Sequence, residues 1–251
     1  MNRAPETLEG WWLLHDFRRL DWARWKTLSP NERASAAAEA AEFFTSAAEV
    51  RDAPEGGSGL YRVLGHKADL LFLHMRPDVA HLSALEDAFA RTRLADFTTR
   101  PTSYLSVIEV SLYSAREGEA EAMRANPHIQ RRLRPALPAA RAVCFYPMSK
   151  KREGGDNWYW EDFDRRREMM RDHGMIGRGY ADRVTQMISG STGLDDWEWG
   201  VTLFSDDPLT FKKIVYEMRF DEASARFGLF GPFYVGLRQD PSELVDWLVG
   251  R

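Results

Sequence analysis

The chain has six histidines, one cysteine and a tyrosine set in a short apolar run, and these are the residues whose chemistry could be put to use. The histidines are His15, His66, His74, His81, His128 and His173. They form neither an HExxH pair nor any closely spaced set, which argues against a mononuclear zinc site. His173 stands apart because it ends a predicted helix whose inward stripe carries Phe163, Met169 and Met170, with Gly174 as the expected stop. Two readings of it stay open. One is a helix-terminal imidazole stabilised by the carbonyl end of the helix dipole. The other is a neutral imidazole projecting into an apolar slot, the usual way of holding haem iron. No CxxCH motif is present, so covalent haem attachment is excluded and Cys144 is the sole candidate thiolate. On an extended strand Cys144, Tyr146 and Met148 share one face, although Cys144 also reads as a small buried hydrophobe. Ser149-Lys150-Lys151-Arg152 follows that strand and Arg131-Arg132-Leu133-Arg134-Pro135 lies upstream. Such basic runs are usually solvated, but around an inward tyrosine they would suit a flat apolar ligand edged with carboxylates. No glycine-rich phosphate loop, GxSxG elbow or paired-carboxylate motif stands out.

The elements that must position these residues spell the same order twice. Leu8 to Phe17 reads as a strand, and a helix opens at Ser29-Pro30-Asn31-Glu32 and runs to about Val50. Leu60–Leu64 and Asp69–Met75 read as a hairpin, Val79–Arg91 as a helix and Tyr104–Tyr113 as a strand. After a loose, charged connection come a strand at Arg141–Met148, a helix at Trp160–His173, and a hairpin of Arg183–Ser189 with Trp197–Phe204. A helix opened by Ser205-Asp206-Asp207-Pro208 runs through Met218, a strand covers Gly231–Leu237, and Pro241–Leu248 is a short amphipathic helix. This is the split βαβ order of a ferredoxin-like unit, repeated. The expected fold is α+β: two ferredoxin-like halves, 1–115 and 141–251, joined by a connection at 116–140 and forming a dimeric α+β barrel within one chain, with the ligand pocket in the second half.

Composition narrows the class. With 251 residues and 44% hydrophobic content the chain can bury substantial cores. A net charge of −4 argues against a dedicated nucleic-acid binder. No run approaches the roughly 20 apolar residues of a membrane span, the start lacks a signal-peptide core, and one cysteine suits a reducing compartment, so a cytoplasmic protein is expected.

Longer motifs carry a resemblance. Tyr146-Pro147-Met148-Ser149-Lys150-Lys151-Arg152, Asp156-Asn157-Trp158-Tyr159, His173-Gly174, Gly177-Arg178, Gln186 to Gly190, Gly193 to Gly200 and Val215 to Glu222 resemble the chlorite-dismutase-like family, and within it the coproheme decarboxylases of the Gram-positive type. The similarity is densest from Arg141 to Gly236, with supporting pieces at Leu8–Asp16 and Gly65–Phe72. The resemblance implies a ring of subunits, usually five, and a substrate, iron coproporphyrin III (coproheme), that is also the redox centre. Two of its propionates would be oxidatively decarboxylated by hydrogen peroxide to give haem b, with a ferrochelatase as a transient supplier. By the same resemblance His173 matches the iron ligand and Tyr146 the radical-forming tyrosine. Arg132, or its neighbour Arg131, together with Lys150 and Ser224 matches positions that hold propionates, while Met148 and Trp197 line the pocket. Gln186 matches a distal position where chlorite-degrading members carry arginine; a neutral amide supplies no charge to hold an anionic oxidant, which disfavours chlorite dismutation. A haem carrier or sensor is the alternative outside catalysis, and it would not require Tyr146 with basic neighbours.

Overall fold

The computed structural model describes residues 3–113 and 120–250. In chain order its strands are β1 (Thr7–Leu20), β2 (Gly57–Val63), β3 (Leu70–Arg76), β4 (Thr98–Ser111), β5 (Ala142–Lys150), the short pair β6 (Arg152–Glu153) and β7 (Asp156–Asn157), β8 (Thr185–Gly190), β9 (Trp199–Ser205), β10 (Gly228–Phe230) and β11 (Tyr234–Arg238). The helices are α1 (Trp22–Trp25), α2 (Pro30–Ala48), α3 (Val79–Ala90), α4 (Ala120–Arg124), α5 (Pro127–Leu133), α6 (Phe163–Arg178), α7 (Leu209–Met218), α8 (Glu222–Ala225) and α9 (Pro241–Val249). The fold is mixed α+β with antiparallel sheet, in two compact units: residues 11–105 with 234–251, and residues 1–10 with 106–233. The expected boundary at 115/116 lies outside the described residues.

In the first unit β11, β2, β3 and β1 pair in that order, all antiparallel. Helix α2 begins where the sequence signals it. Ser29 accepts from the Glu32 backbone N–H at 3.3 Å while the Glu32 carboxylate accepts from the Ser29 N–H at 2.8 Å, a complete capping box ahead of Pro30. Its buried stripe of Ala36, Ala37, Ala40, Phe44 and Ala47 is nearly all alanine, which lets the helix lie close to its neighbours. Trp25 is fully buried and its indole N–H donates to the Leu248 carbonyl at 2.8 Å, tying α9 to this core. Arg76 is fully buried as well. Its guanidinium donates to both Asp52 carboxylate oxygens and to the Ala47, Gly57 and Met75 carbonyls, so the desolvated cation is satisfied on every side.

In the second unit the order is β10-β5-β9-β8-β4. Three expectations change here. The helix expected to stop at Gly174 continues to Arg178, because an interior glycine weakens a helix by only about 1 kcal/mol relative to alanine and the chain instead caps at Gly179, whose N–H reaches the Met175 and Ile176 carbonyls. His173 is therefore inside α6 and not at its dipole end. The loose connection contains α4 and α5. Asn126 caps α5, and Ile129 and Leu133 pack with Leu8, Val110 and Leu112, a tertiary cluster that short charged segments do not announce. Gly10 makes that contact possible, since a Cβ there would lie 1.9 Å from the Leu133 carbonyl oxygen. The strand expected at Gly231–Leu237 begins only at Tyr234, as β11, because Gly231-Pro232-Phe233 is not strand, and the short β10 precedes it outside the expected range.

His15 and His74, both in the first unit, are held near a pKa of about 3, chiefly by burial. The folded protein keeps them neutral while the unfolded chain protonates them below about 6.5, so unfolding free energy falls as pH drops through that window, by up to about 1.4 kcal/mol per pH unit for each histidine. Urea titrations at successive pH values between 7 and 4 will show this slope, and His74→Gln will reduce it; a midpoint independent of pH in that range contradicts the account.

Candidate functional site

Strand alternation in the second unit collects chemistry on one face. Tyr146 opposes Val201 and Met148 opposes Trp199, while Ile188 opposes Val201 and Gln186 opposes Leu203. Opposed residues share a face and alternate residues return to it. Tyr146, Met148, Lys150, Gln186, Ile188 and Trp199 therefore stand together, with Phe230 joining through its pairing with Met148. Helices α6 and α8 meet this face at polar contacts. The Gln186 amide donates to the Gly177 carbonyl at 3.1 Å, and the Lys150 ammonium donates to the Ala223 carbonyl at 2.7 Å.

His173 projects from α6 one helical turn before Gly177, with 29% of its side chain exposed, so its ring is not sealed in a core. Its Nδ1 lies 2.9 Å from Asp221 Oδ2. The same carboxylate accepts from the Ser224 hydroxyl at 3.0 Å and, through Oδ1, from the Ser224 backbone N–H at 3.0 Å, which caps α8. Burial alone would raise the Asp221 carboxyl, but the hydrogen bonds and charge of His173 and the two bonds from Ser224 outweigh it and hold the group below its ordinary value. An ionised carboxylate can only accept, so Nδ1 carries a proton and, in the neutral ring, Nε2 presents its lone pair. That is the tautomer of a metal-ligating imidazole. Among the described residues no group of three or more His, Cys, Asp and Glu could hold a bare metal ion.

Tyr146 is 5% exposed and stacks on Phe233 at 4.4 Å, with Phe230 at 6.0 Å. Burial pushes its phenol well above the ordinary value, and the hydroxyl makes no hydrogen bond to a described residue. Arg219, at the C-terminal end of α7, lies 3.7 Å over the Phe230 ring and draws the Tyr146 phenol back down by its charge. A guanidinium over an aromatic ring can keep N–H donors for a planar acceptor such as a carboxylate. Lys150 is buried over the Trp158 ring at 4.5 Å, and desolvation lowers it to about 8 against the opposing pull of Asp221 and Glu198. Trp197 is half-buried against Gly231, where a Cβ would meet its indole at 2.9 Å. Arg131 and Arg132 are both exposed near the end of α5, and neither has a hydrogen bond or ion pair to these residues.

The structure thus brings His173, Ser224 and Lys150 into one cluster and Tyr146 and Met148 onto the adjoining sheet face, with Gln186 reaching α6. Ser224 and Lys150 are engaged in holding α8. Asp221, Glu198 and Arg219 were not singled out by sequence reasoning. Asp221 precedes Ser224 by three residues and reads as an ordinary helix cap, and nothing in that spacing ties it to His173, 48 residues away.

The chlorite dismutase family model matches residues 33–239, most of the chain. This chain belongs to the chlorite dismutase family. It is 48% identical to a protein named as heme-binding in Natronomonas pharaonis, over 97% of this chain and 41% of that relative, so it spans well under half of the relative's length. Its structure is similar to that of a heme-binding protein from Thermus thermophilus, with 46% identity, 99% and 98% of the two chains covered and a TM-score of 0.92. It also shares its fold with a mutant chlorite dismutase from Candidatus Nitrospira defluvii, at 19% identity, a TM-score of 0.78 and coverage of 96% and 97%. No helix among the described residues of this family member is long and apolar enough to cross a membrane.

Asp221→Ala removes a helix cap and the partner of His173, and will lower stability by about 1 kcal/mol at neutral pH. Because the folded pKa of Asp221 is depressed, its contribution is present above the unfolded value near 3.8 and is lost as pH falls below it. The deficit of the variant, measured by chemical denaturation, will therefore shrink on acidification; a pH-independent deficit assigns the loss to packing alone.

Proposed function

We propose that this chain binds an iron porphyrin through His173 and catalyses the hydrogen-peroxide-dependent oxidative decarboxylation of iron coproporphyrin III to haem b. The observation that carries this reading is Tyr146: a buried phenol with no hydrogen-bond partner among the described residues, on the sheet face that meets the helix of a correctly tautomerised histidine, beside a stacked arginine. The residues fit the group. An apolar face of Met148, Ile188, Val201 and Trp199 suits the macrocycle, and Ile188 is 37% exposed in mid-strand, an apolar surface left for a flat ligand to cover. The four carboxylates need cations and donors, which Arg219 and the Tyr146 hydroxyl supply directly, with Arg132 or Arg131 on α5 as the further basic candidates.

Held through His173, an iron porphyrin would supply the oxidising power when treated with hydrogen peroxide. Tyr146 gives up its hydroxyl hydrogen and its oxygen then takes a hydrogen atom from the propionate carbon next to the ring. The resulting carbon radical would give its second electron to the peroxide-derived oxidant and lose carbon dioxide, leaving a vinyl group, so that one hydrogen peroxide is reduced to two waters for each vinyl formed. Arg219, stacked on Phe230, orients the carboxylate toward the phenol. Asp221 keeps Nδ1 protonated and Nε2 aimed, and Ser224 and Lys150 fix the segment that carries Asp221. Gln186, a neutral amide, places no charge near the oxidant, which separates this reading from chlorite dismutation. The same reading carries two ferredoxin-like halves closed as a barrel, assembly into a ring of five, a cytoplasmic location and supply of substrate by a ferrochelatase.

Tyr146→Phe preserves ring volume and stacking, so coproheme binding will change by at most about 1 kcal/mol, the weight of one hydrogen bond. Peroxide titration followed by porphyrin mass will show both losses of carbon dioxide in the wild type and neither in the variant. Binding without loss of carbon dioxide in the wild type would make the protein a haem carrier or sensor. Conversion by the variant at the wild-type rate removes Tyr146 from the chemistry. Asp221→Ala will weaken ferric porphyrin binding by about 10–100-fold, and His173→Ala will change the ferric absorption spectrum outright; unchanged spectra in the latter exclude His173 as ligand.

A further inference from the structure

A half-buried acid on the same sheet face takes no part in that chemistry. Glu109 of β4 accepts from the Trp199 indole N–H at 3.0 Å. Its other oxygen occupies the space where Gly190 has no side chain, since a Cβ at 190 would sit 2.2 Å from Oε2. Gly190 opposes both Val107 and Trp199 in register, so this glycine is the opening through which the carboxylate reaches the indole. Burial holds the Glu109 carboxyl above its ordinary range, the indole hydrogen bond opposes this, and Glu9 adds to it; the result is a better proton acceptor than a solvated glutamate. Trp199 opposes Met148 and is the diagonal cross-strand neighbour of Tyr146, a relation that puts the two about 7–8 Å apart. An indole N–H turned away from solvent needs some acceptor, and a carbonyl would serve for packing alone. Here the acceptor is a titratable group whose carboxylate lies over a glycine.

We propose that Trp199 with Glu109 is a second oxidisable centre beside Tyr146, which takes the oxidising equivalent from the tyrosine when no reactive carboxylate is within its reach. The inference rests on the reading that Tyr146 is oxidised during reaction with peroxide. One electron passes from the indole to the oxidised Tyr146. The indole N–H bond breaks and its proton moves to Glu109, while Tyr146 regains its hydroxyl by taking back from solvent the proton it released on oxidation. The products are a neutral indole radical, a protonated Glu109 and an intact tyrosine, with hydrogen peroxide as the oxidant. The neutral radical is consumed by oxygen or further peroxide, leaving an oxygenated tryptophan as a permanent record. The arrangement gives the site an outlet that spares the tyrosine when peroxide arrives without substrate.

The test loads the protein with haem b, which has none of the reactive propionates, adds excess peroxide, and maps oxidised side chains by peptide mass spectrometry. Oxygen will be found on Trp199 in the wild type and several-fold less in Glu109→Gln, which keeps an acceptor oxygen and the volume but takes up no proton. Tyr146→Phe will also lower it, because the equivalent arrives through the phenol. Freeze-quenched electron paramagnetic resonance will show an indole radical that Trp199→Phe abolishes. An unmodified Trp199 in haem-loaded wild type, or equal modification in Glu109→Gln, overturns the inference. Decarboxylation is read separately with coproheme: its failure while Trp199 is oxidised sinks the decarboxylase reading alone, and failure to bind either porphyrin sinks both.

Discussion

The candidate site depends on one carboxylate doing three things at once. Asp221 accepts from the His173 imidazole, from the Ser224 hydroxyl and from the Ser224 backbone N–H. Each bond needs the carboxylate ionised in a partly buried place, and together they outweigh the desolvation that would otherwise neutralise it. The consequence is a fixed tautomer and a fixed direction for the imidazole, which a helix-borne histidine with only solvent beside it would lack. Lys150 reinforces the same short segment from the sheet side by bonding the Ala223 carbonyl, so the histidine, its orienting acid and the basic strand end form one connected piece.

Opposite that piece, the sheet supplies the surface by simple alternation. A period of two along β5, β8 and β9 delivers Tyr146, Met148, Gln186, Ile188 and Trp199 to a common face, and a shift of one residue in register would send all of them to the other side. Two glycines do what side chains could not. Gly177 lets the Gln186 amide approach the α6 backbone, and Gly190 admits the Glu109 carboxylate to the Trp199 indole. Both are spaces required by a neighbour and not by backbone strain, since neither has positive φ. The face is consequently apolar in the middle and polar at defined edges, the pattern expected for a flat ligand with charged rims.

The first unit is built on different terms. Its buried polar groups, Arg76 with Asp52 and the neutral His74 hydrogen-bonded at 2.8 Å to Ser58, are satisfied within the core. A buried histidine there behaves as a packing residue whose charged form is excluded by desolvation, the opposite of His173, which is partly exposed and held beside an ionised acid. Residue type alone does not separate these two histidines; their surroundings do.

Much was legible from the chain alone, for local reasons. Helix α2 is marked by Ser29, Pro30 and Glu32 because capping is an interaction between residues three apart, and the strands carrying Tyr146 and Gln186 are marked by apolar and β-branched runs. That Cys144, Tyr146 and Met148 share a face follows from the pleat itself. Long motifs around His173 and Tyr146 likewise mark the family. The end of α6 was not legible, because glycine permits a stop without enforcing one and the outcome lay with contacts made by Gly177 and Gly179. Helices α4 and α5 were hidden in a charged segment whose stability comes from packing on Leu8 and Val110. The pairing of Asp221 with His173, the stacking of Arg219 on Phe230 and the meeting of Glu109 with Trp199 join residues that lie 48, 11 and 90 positions apart. Sequence determines the elements and the faces because those depend on neighbours along the chain; only the tertiary structure decides which acid meets which ring, because that depends on strand register and helix placement over distances at which no local interaction acts.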